Sequence, residues 1–252
     1  VFIGNGFHDL HPGGDGFVWS SAERTLAAPG WRALNDLQWA SWPSLEARPL
    51  LPVTGALPYA WWGRRWHWAP DGRTLAFSQA NALGLLDLDS GDLRTLLTVW
   101  PAPADGDRVW LPALVWAPDG SGLLATAPRA QDDTAQIDVL WVELLGGDAR
   151  TLYEDVGADA TLAWAPDGAL LALLPAARTG ELWLAATSAP ERPEPLRLPP
   201  ECATGAGIVG WSPERDAVLL LCSGDLYLLS IGNAEGVALT ASGLVSHAVW
   251  RP

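Results

Sequence analysis

Apolar and polar positions along this chain change over in short bursts bounded by turn-forming residues, and no apolar stripe of helical period runs long enough to build a helix. Apolar stretches at Leu83 to Leu88, Ile137 to Leu144, Glu181 to Ala186 and Asp225 to Ser230 sit between clusters of Gly, Pro, Asp and Ser, the pattern of strands closed by tight turns. Upstream of each, a tryptophan ends one apolar run and a Leu-rich run follows a turn. Trp68-Ala69-Pro70-Asp71-Gly72 leads into Arg73-Thr74-Leu75-Ala76-Phe77, and the same frame returns at Trp116-Ala117-Pro118-Asp119-Gly120 and Trp164-Ala165-Pro166-Asp167-Gly168. Proline presets φ, aspartate caps the turn and glycine takes a positive φ, so each copy predicts a hairpin. Shorter runs such as Arg94 to Thr98 and Val237 to Thr240 add a last strand, making units of four strands.

Weaker copies of the frame occur at Trp211-Ser212-Pro213-Glu214-Arg215 and Trp19-Ser20-Ser21-Ala22-Glu23, and a truncated one at Trp250-Arg251-Pro252. The indoles from Trp19 to Trp211 recur about every 48 residues, the length of one propeller blade. The expected fold is all-β: a β-propeller of four-stranded blades, each covering its neighbours' apolar faces. Six tryptophans end a candidate first strand and five of them are followed by sequence for the other three strands, so the ring closes either with six blades, the last incomplete or closed by the N-terminus, or with five. The expected organisation is one domain over residues 1–252, with units at 19–67, 68–115, 116–163, 164–210 and 211–249. Residues 246–252 would begin the closing blade, and 1–18 would supply a closing segment. Trp68, Trp116, Trp164 and Trp211 repeat with the fold, so they are assigned to packing between blades, as are Trp141 and Trp183.

Trp-Ala/Ser-Pro-Asp-Gly followed by Leu-Ala resembles the WD-like propeller repeat of the TolB family, and the resemblance covers residues 19–252. It implies a six-bladed propeller. The same repeat occurs in propeller domains of prolyl oligopeptidase-like enzymes, so it specifies fold more narrowly than function.

Composition narrows the field. All 15 basic residues are arginine, 29 are acidic, and the formal charge is −14, which gives no electrostatic footing on nucleic acid or an anionic lipid face. No apolar run approaches the roughly 20 residues needed to span a bilayer as a helix, so direct membrane insertion is not expected. The chain has no methionine and begins at Val1 without a basic, then apolar, leader, which reads as a processed form or a piece of something longer. Its two cysteines lie where pairing of the fifth unit's first strands brings them near one another; Cys202 and Cys222 form a disulfide or two buried thiols.

Beyond the six repeat positions and the third-strand Trp141 and Trp183, eight tryptophans remain: Trp31, Trp39, Trp42, Trp61, Trp62, Trp66, Trp100 and Trp110. Tyr59, Trp61, Trp62, Arg64, Arg65 and His67 crowd the connector into the second unit, and Trp100, Asp105, Asp107, Arg108 and Trp110 crowd the connector into the third. Such connectors emerge around one mouth of a propeller, where indoles, guanidinium forks and carboxylates suit a peptide, a carbohydrate or a partner loop. The bland alternative is that another blade or domain covers these rings.

Catalysis finds no motif. There is no Gly-x-Ser-x-Gly elbow, no phosphate loop before a helix, and the recurring Asp is a turn former. His8-Asp9-Leu10-His11 is followed at once by Pro12-Gly13-Gly14 and is expected to be a surface turn; Asp132-Asp133 and Asp105-Gly106-Asp107 lack calcium-loop spacing. No metal, cofactor or catalytic residue is assigned. The sequence thus points to a non-enzymatic, TolB-like propeller that binds a protein or peptide, acting in the periplasm or elsewhere outside the cytoplasm, or as a subunit of an envelope-associated assembly. The alternative is the substrate-gating propeller of a prolyl-oligopeptidase-like serine peptidase.

Overall fold

A computed structural model describes residues 7–13, 16–21, 24–26, 31–33, 37–41, 43–44, 46–49, 66–79, 81–99, 110, 112–130, 133–246 and 248. The first six strands are β1 (Phe7–Gly13), β2 (Gly16–Ser21), β3 (Arg24–Leu26), β4 (Trp31–Ala33), β5 (Leu37–Ser41) and β6 (Ala47–Pro49). They form an antiparallel sheet of order β1-β2-β5-β6, with β3 and β4 paired as a separate two-stranded ribbon.

Trp19 departs from the expected role of a residue closing a first strand. It lies in the second strand, opposite Leu10 on one side and Gln38 on the other. β1 pairs with β2 with Gly13 opposite Gly16, and His8 to His11, expected as a turn, belong to β1. The β3–β4 ribbon falls between the second and third strands of this sheet, and Trp19-Ser20 imitates the repeat without its hairpin turn.

The second sheet comprises β7 (Trp66–Trp68), β8 (Thr74–Gln79), β9 (Ala82–Asp87) and β10 (Leu93–Thr98), and the third β11 (Leu114–Trp116), β12 (Gly122–Ala130), β13 (Asp133–Glu143) and β14 (Ala149–Tyr153). The fourth comprises β15 (Thr161–Trp164), β16 (Leu170–Leu174), β17 (Glu181–Ala186) and β18 (Glu194–Arg197), and the fifth β19 (Ala206–Trp211), β20 (Ala217–Cys222), β21 (Asp225–Ser230) and β22 (Gly236–Ala238). One turn of 3-10 helix, Pro200–Cys202, precedes β19. The chain is all-β, and the described residues hold five four-stranded sheets, each in sequence order. Of residues 246–252, where the closing blade was expected to begin, 246 and 248 are described and lie in no strand, and 247 and 249–252 lie outside the described residues.

By contacts the chain divides into two compact units: residues 1–116, 120–127 and 142–149, and residues 117–119, 128–141 and 150–252. In the first, Leu75, Leu83, Leu86, Leu123 and Leu124 are fully buried on strands whose neighbours read Ala, Phe and Leu. In the second, Leu182, Leu198, Trp211, Val218, Leu220 and Leu229 share a core with Cys202 and Cys222. Those cysteines are joined by a disulfide with Cα atoms 4.9 Å apart, which resolves the open pairing.

The Pro-Asp-Gly turns form as their residue types dictate. Asp71 Oδ1 accepts the N–H groups of Arg73 at 2.8 Å and Thr74 at 2.9 Å, and Gly72 takes a φ of 67°. Partial burial pushes the Asp71 carboxyl up, but those donors and the Thr74 hydroxyl outweigh it and hold it below the usual carboxylate range. The corners of the third, fourth and fifth sheets each also reach the one before. A Cβ at Gly168 would lie 3.3 Å from Pro118 side-chain atoms, and one at Gly120 would lie 3.9 Å from Pro70 Cδ. In the fifth sheet Arg215 takes the glycine's left-handed place, φ 64°, and its guanidinium reaches back to the Asp167 carboxylate.

The repeat indoles stitch neighbouring sheets. Trp116 Nε1 donates to the His67 carbonyl and Trp211 Nε1 to the Ala163 carbonyl, each at 2.9 Å. His67 and Ala163 each immediately precede the repeat tryptophan of the sheet before. Trp164 differs: its indole nitrogen is buried with no hydrogen-bond partner among the described residues.

Candidate functional site

Antiparallel order puts the turn between second and third strands at the same end of a sheet as the connector leaving the fourth strand. In the second sheet that turn contains Asn81, and the connector runs from Val99 to Ala113. Asn81 is fully buried and left-handed, φ 58°, a conformation asparagine tolerates better than most residues. Its carbonyl accepts the Val99 N–H at 2.8 Å and its own N–H donates to the Trp110 carbonyl at 2.7 Å. Its side-chain Oδ1 accepts the Trp110 N–H at 2.6 Å.

Buried hydroxyls hold the same stretch further along. Ser78 Oγ donates to the Pro112 carbonyl, Thr126 Oγ1 accepts the Ala113 N–H at 2.9 Å, and the Thr126 carbonyl accepts the Trp110 indole N–H at 2.9 Å. Satisfied buried polar groups of this kind fix position, because any displacement strands a donor or an acceptor away from water.

Other connectors are held by different chemistry. Asp138, nearly buried, takes both arms of the Arg129 fork at 2.7 and 3.1 Å and also the Asp155 N–H at 2.9 Å. Glu154 adds a second carboxylate to Arg129 at 3.1 Å, and the Asp138 hydrogen bond is the foremost reason the guanidinium is held more firmly protonated. After β18 the Cys202–Cys222 disulfide ties the connector to β20. After β22, Asp225 Oδ1 accepts the Ser242 and Gly243 N–H groups at 2.7 and 2.9 Å and the Thr240 hydroxyl at 3.0 Å. These bonds, led by that from Gly243, hold the Asp225 carboxyl below its usual range.

An aromatic cluster lies between the third and fourth sheets within the second unit. Trp183 meets Tyr153 edge to face with centroids 6.2 Å apart, and the Arg178 guanidinium lies 5.4 Å from the Trp183 ring centroid. Tyr153 donates its hydroxyl to the Pro190 carbonyl at 2.6 Å, and burial, aided by the Glu191 charge, pushes its pKa up to about 12. These contacts knit strands together, consistent with the packing role expected of Trp183.

Of the residues expected to form the binding face, the described ones are His67 and Trp110. His67 sits in β7 opposite Ala76 with its side chain exposed, and its carbonyl receives the Trp116 indole. Trp110 is half-buried, with backbone N–H, carbonyl and indole N–H all engaged by Asn81 and Thr126. It therefore anchors the connector. Tyr59, Trp61, Trp62, Arg64, Arg65, Trp100, Asp105, Asp107 and Arg108 lie outside the described residues. Sequence reasoning missed Asn81; the available signal was an asparagine between two apolar strands, a left-handed turn position. Among the described residues no group of three or more His, Cys, Asp or Glu could hold a metal ion, and no helix is long and apolar enough to cross a membrane.

No protein-family model matches the chain, and no curated protein matches it in sequence. Solved structures are similar in fold. TolB from Acinetobacter baumannii is 18% identical with a TM-score of 0.60, over 90% of this chain and 54% of that one. A chain of the nidogen/laminin complex is 13% identical with a TM-score of 0.58, over 92% of this chain and 78% of that one. A prolyl endopeptidase is 14% identical with a TM-score of 0.62, over 94% of this chain and 36% of that one. The chain thus spans about half of that TolB and about a third of that endopeptidase. The fold is a β-propeller of the kind found in TolB.

Proposed function

We propose that this chain is a non-enzymatic binding propeller that recognises a protein or peptide over its connector face, centred on Trp61, Trp62, Arg64, Arg65, Arg108 and Trp110. The observation that carries the reading is the crowding of indoles, guanidinium groups and carboxylates into the two connectors that end at Trp68 and Trp116, against a regular spacing of packing indoles elsewhere. Tryptophan and arginine are the residues most enriched at interface hot spots. The firm seating of Trp110 supports it, because a binding loop raised on a fixed base loses less freedom on association. The disulfide supports action outside the cytoplasm, where such bonds persist, and the likeness to TolB fits a periplasmic or other extracytoplasmic place within a larger assembly.

The likeness to a prolyl endopeptidase keeps a second reading, the gating propeller of a serine peptidase. A Gly-x-Ser-x-Gly elbow with downstream Asp and His in a longer sequence would decide for it.

The test is affinity capture from the native source with this chain as bait, beside a variant carrying Trp61→Ala, Trp62→Ala and Arg65→Ala. The proposal expects a protein held by the parent chain and lost by the variant, and a single true hot-spot ring to be worth over about tenfold in Kd. An unchanged set of captured proteins would overturn the face.

A further inference from the structure

We infer that the outer edge of the fifth sheet docks an extended peptide segment of a partner protein, one with apolar residues at alternate positions and basic residues at its ends, which adds itself to β22 as a further strand. The inference does not rest on the connector-face reading. β22 ends its sheet, and among the described residues no strand pairs with its far edge. The Leu239 N–H donates to the Leu226 carbonyl at 2.8 Å, and Val237 lies opposite Leu228. Backbone groups alternate along a strand, so those of Gly236 and Ala238 point outward, and all three residues of β22 are exposed. Side chains alternate as well. A Cβ at Gly236 would run into the Pro199 ring, which puts Val237 and Leu239 on the opposite face. There they finish two apolar rows. Leu219 is buried, Leu228 beside it is half-buried and Val237 is 52% exposed, while Leu239, also 52% exposed, lies beside the half-buried Leu226. An added strand would continue both rows and cover their open ends.

The other outer strands carry what turns a visiting strand away: a charge, a proline or a bulge. β6 has Arg48 and Pro49, β10 has Arg94 and a bulge between Thr95 and Leu97, β14 has Arg150, and β18 has Glu194 and Pro195. Val237 stands where β10 has Arg94, since each lies opposite the fourth residue of its third strand, Leu228 or Leu85. β22 itself has no charge, proline or bulge. Charge then selects the visitor. Residues 216–246 include Asp216, Asp225 and Glu235 and neither arginine nor lysine. A second copy would bring the same three acids and a formal charge of −14 to the same place, whereas a foreign strand with basic ends is attracted to it.

The probe is a synthetic peptide, Arg-Thr-Val-Thr-Val-Thr-Arg, set beside the same peptide with Glu at both ends, on the intact chain. The Arg-ended peptide is expected to bind with a micromolar Kd, at least about tenfold tighter than the Glu-ended one, and to slow hydrogen exchange of the Ala238 amide at least about tenfold. Ala238→Pro removes an outward N–H and no bond to β21, and Val237→Arg restores the residue that β10 has. Each is expected to weaken binding at least about tenfold with the urea midpoint unchanged; should Ala238→Pro lower that midpoint, Val237→Arg decides. Replacing Trp61 and Trp62 by Ala is expected to leave peptide binding as it was, so this edge and the connector face fail separately. No binding by the parent chain, or undiminished binding by Val237→Arg, overturns the site. Equal binding of the two peptides overturns the basic partner. A dimer of the parent chain that Ala238→Pro abolishes makes the occupant a second copy and overturns the foreign strand.

Discussion

At the turn end of the sheets the same contact is made twice, Gly120 over Pro70 and Gly168 over Pro118. At the connector end Asn81, the Arg129–Asp138 fork, the Cys202–Cys222 bridge and Asp225 each secure a connector by a different device. Sequence regularity follows the same division. The turn end repeats because Pro-Asp-Gly builds the same corner wherever it recurs, whereas each connector is free to differ once its own ends are pinned. Freedom to differ is what a recognition surface needs, and for that reason binding is sought at the connectors.

The largest effect is expected at the connector end. Replacing Cys202 and Cys222 together by Ala should cost about 3 kcal/mol in urea unfolding, mainly by releasing the unfolded chain from a closed loop. Both sulfur-bearing residues are buried, so a reductant added without denaturant should leave the bridge intact by thiol titration. A cost below about 1 kcal/mol would show that the connector is held mainly by its other contacts.

Next come the indole stitches. Trp211→Phe removes a hydrogen bond and strands the Ala163 carbonyl, at an expected cost of about 1–3 kcal/mol. Trp164→Phe removes a buried N–H that has no partner among the described residues and should cost clearly less, or stabilise. Equal losses in matched urea titrations would break the distinction between the two positions.

At the turn end Gly168→Ala forces a side chain onto a φ of 72° and against Pro118, and should cost about 1–2 kcal/mol. Arg215→Gly gives up an exposed ion pair but relieves a left-handed arginine, so its net effect should stay within about 0.5 kcal/mol.

The smallest effect is acid sensitivity. Asp71, Asp87, Asp167 and Asp225 are all held below the usual carboxylate range. A depressed folded-state pKa gives stability that is present above the unfolded value of about 4 and is lost as pH falls through the folded value. The urea midpoint should therefore drop below about pH 4, and Asp71→Asn should flatten that drop. An unchanged slope in the Asp71→Asn chain would show that the turn hydrogen bonds contribute nothing to the linkage.

Much of the fold was legible because its signals are local. Proline, aspartate and glycine in fixed order dictate a turn, and the strands of the later sheets begin and end close to where the apolar runs do. Trp19 misled because an indole followed by serine copies the repeat's spacing, while the pairing that places it in a second strand depends on β1 and β5, distant in sequence. Half of the disulfide question was legible too: strand order brought Cys202 and Cys222 together, and whether they bond depends on side-chain direction, which no pattern records. Asn81 was invisible for a related reason. Its importance lies in a partner 29 residues away, and nothing in its neighbours distinguishes it from an ordinary turn asparagine.

The seating of each turn on its predecessor carries a consequence for anyone recombining these modules. A transplanted blade sets its left-handed corner against whatever the upstream corner offers. Where the donor brings arginine, as at Arg215, an acid in the place of Asp167 gives the guanidinium its partner. Where it brings glycine, a proline ring suffices as a floor, and shuffled libraries should therefore exchange corners in adjacent couples.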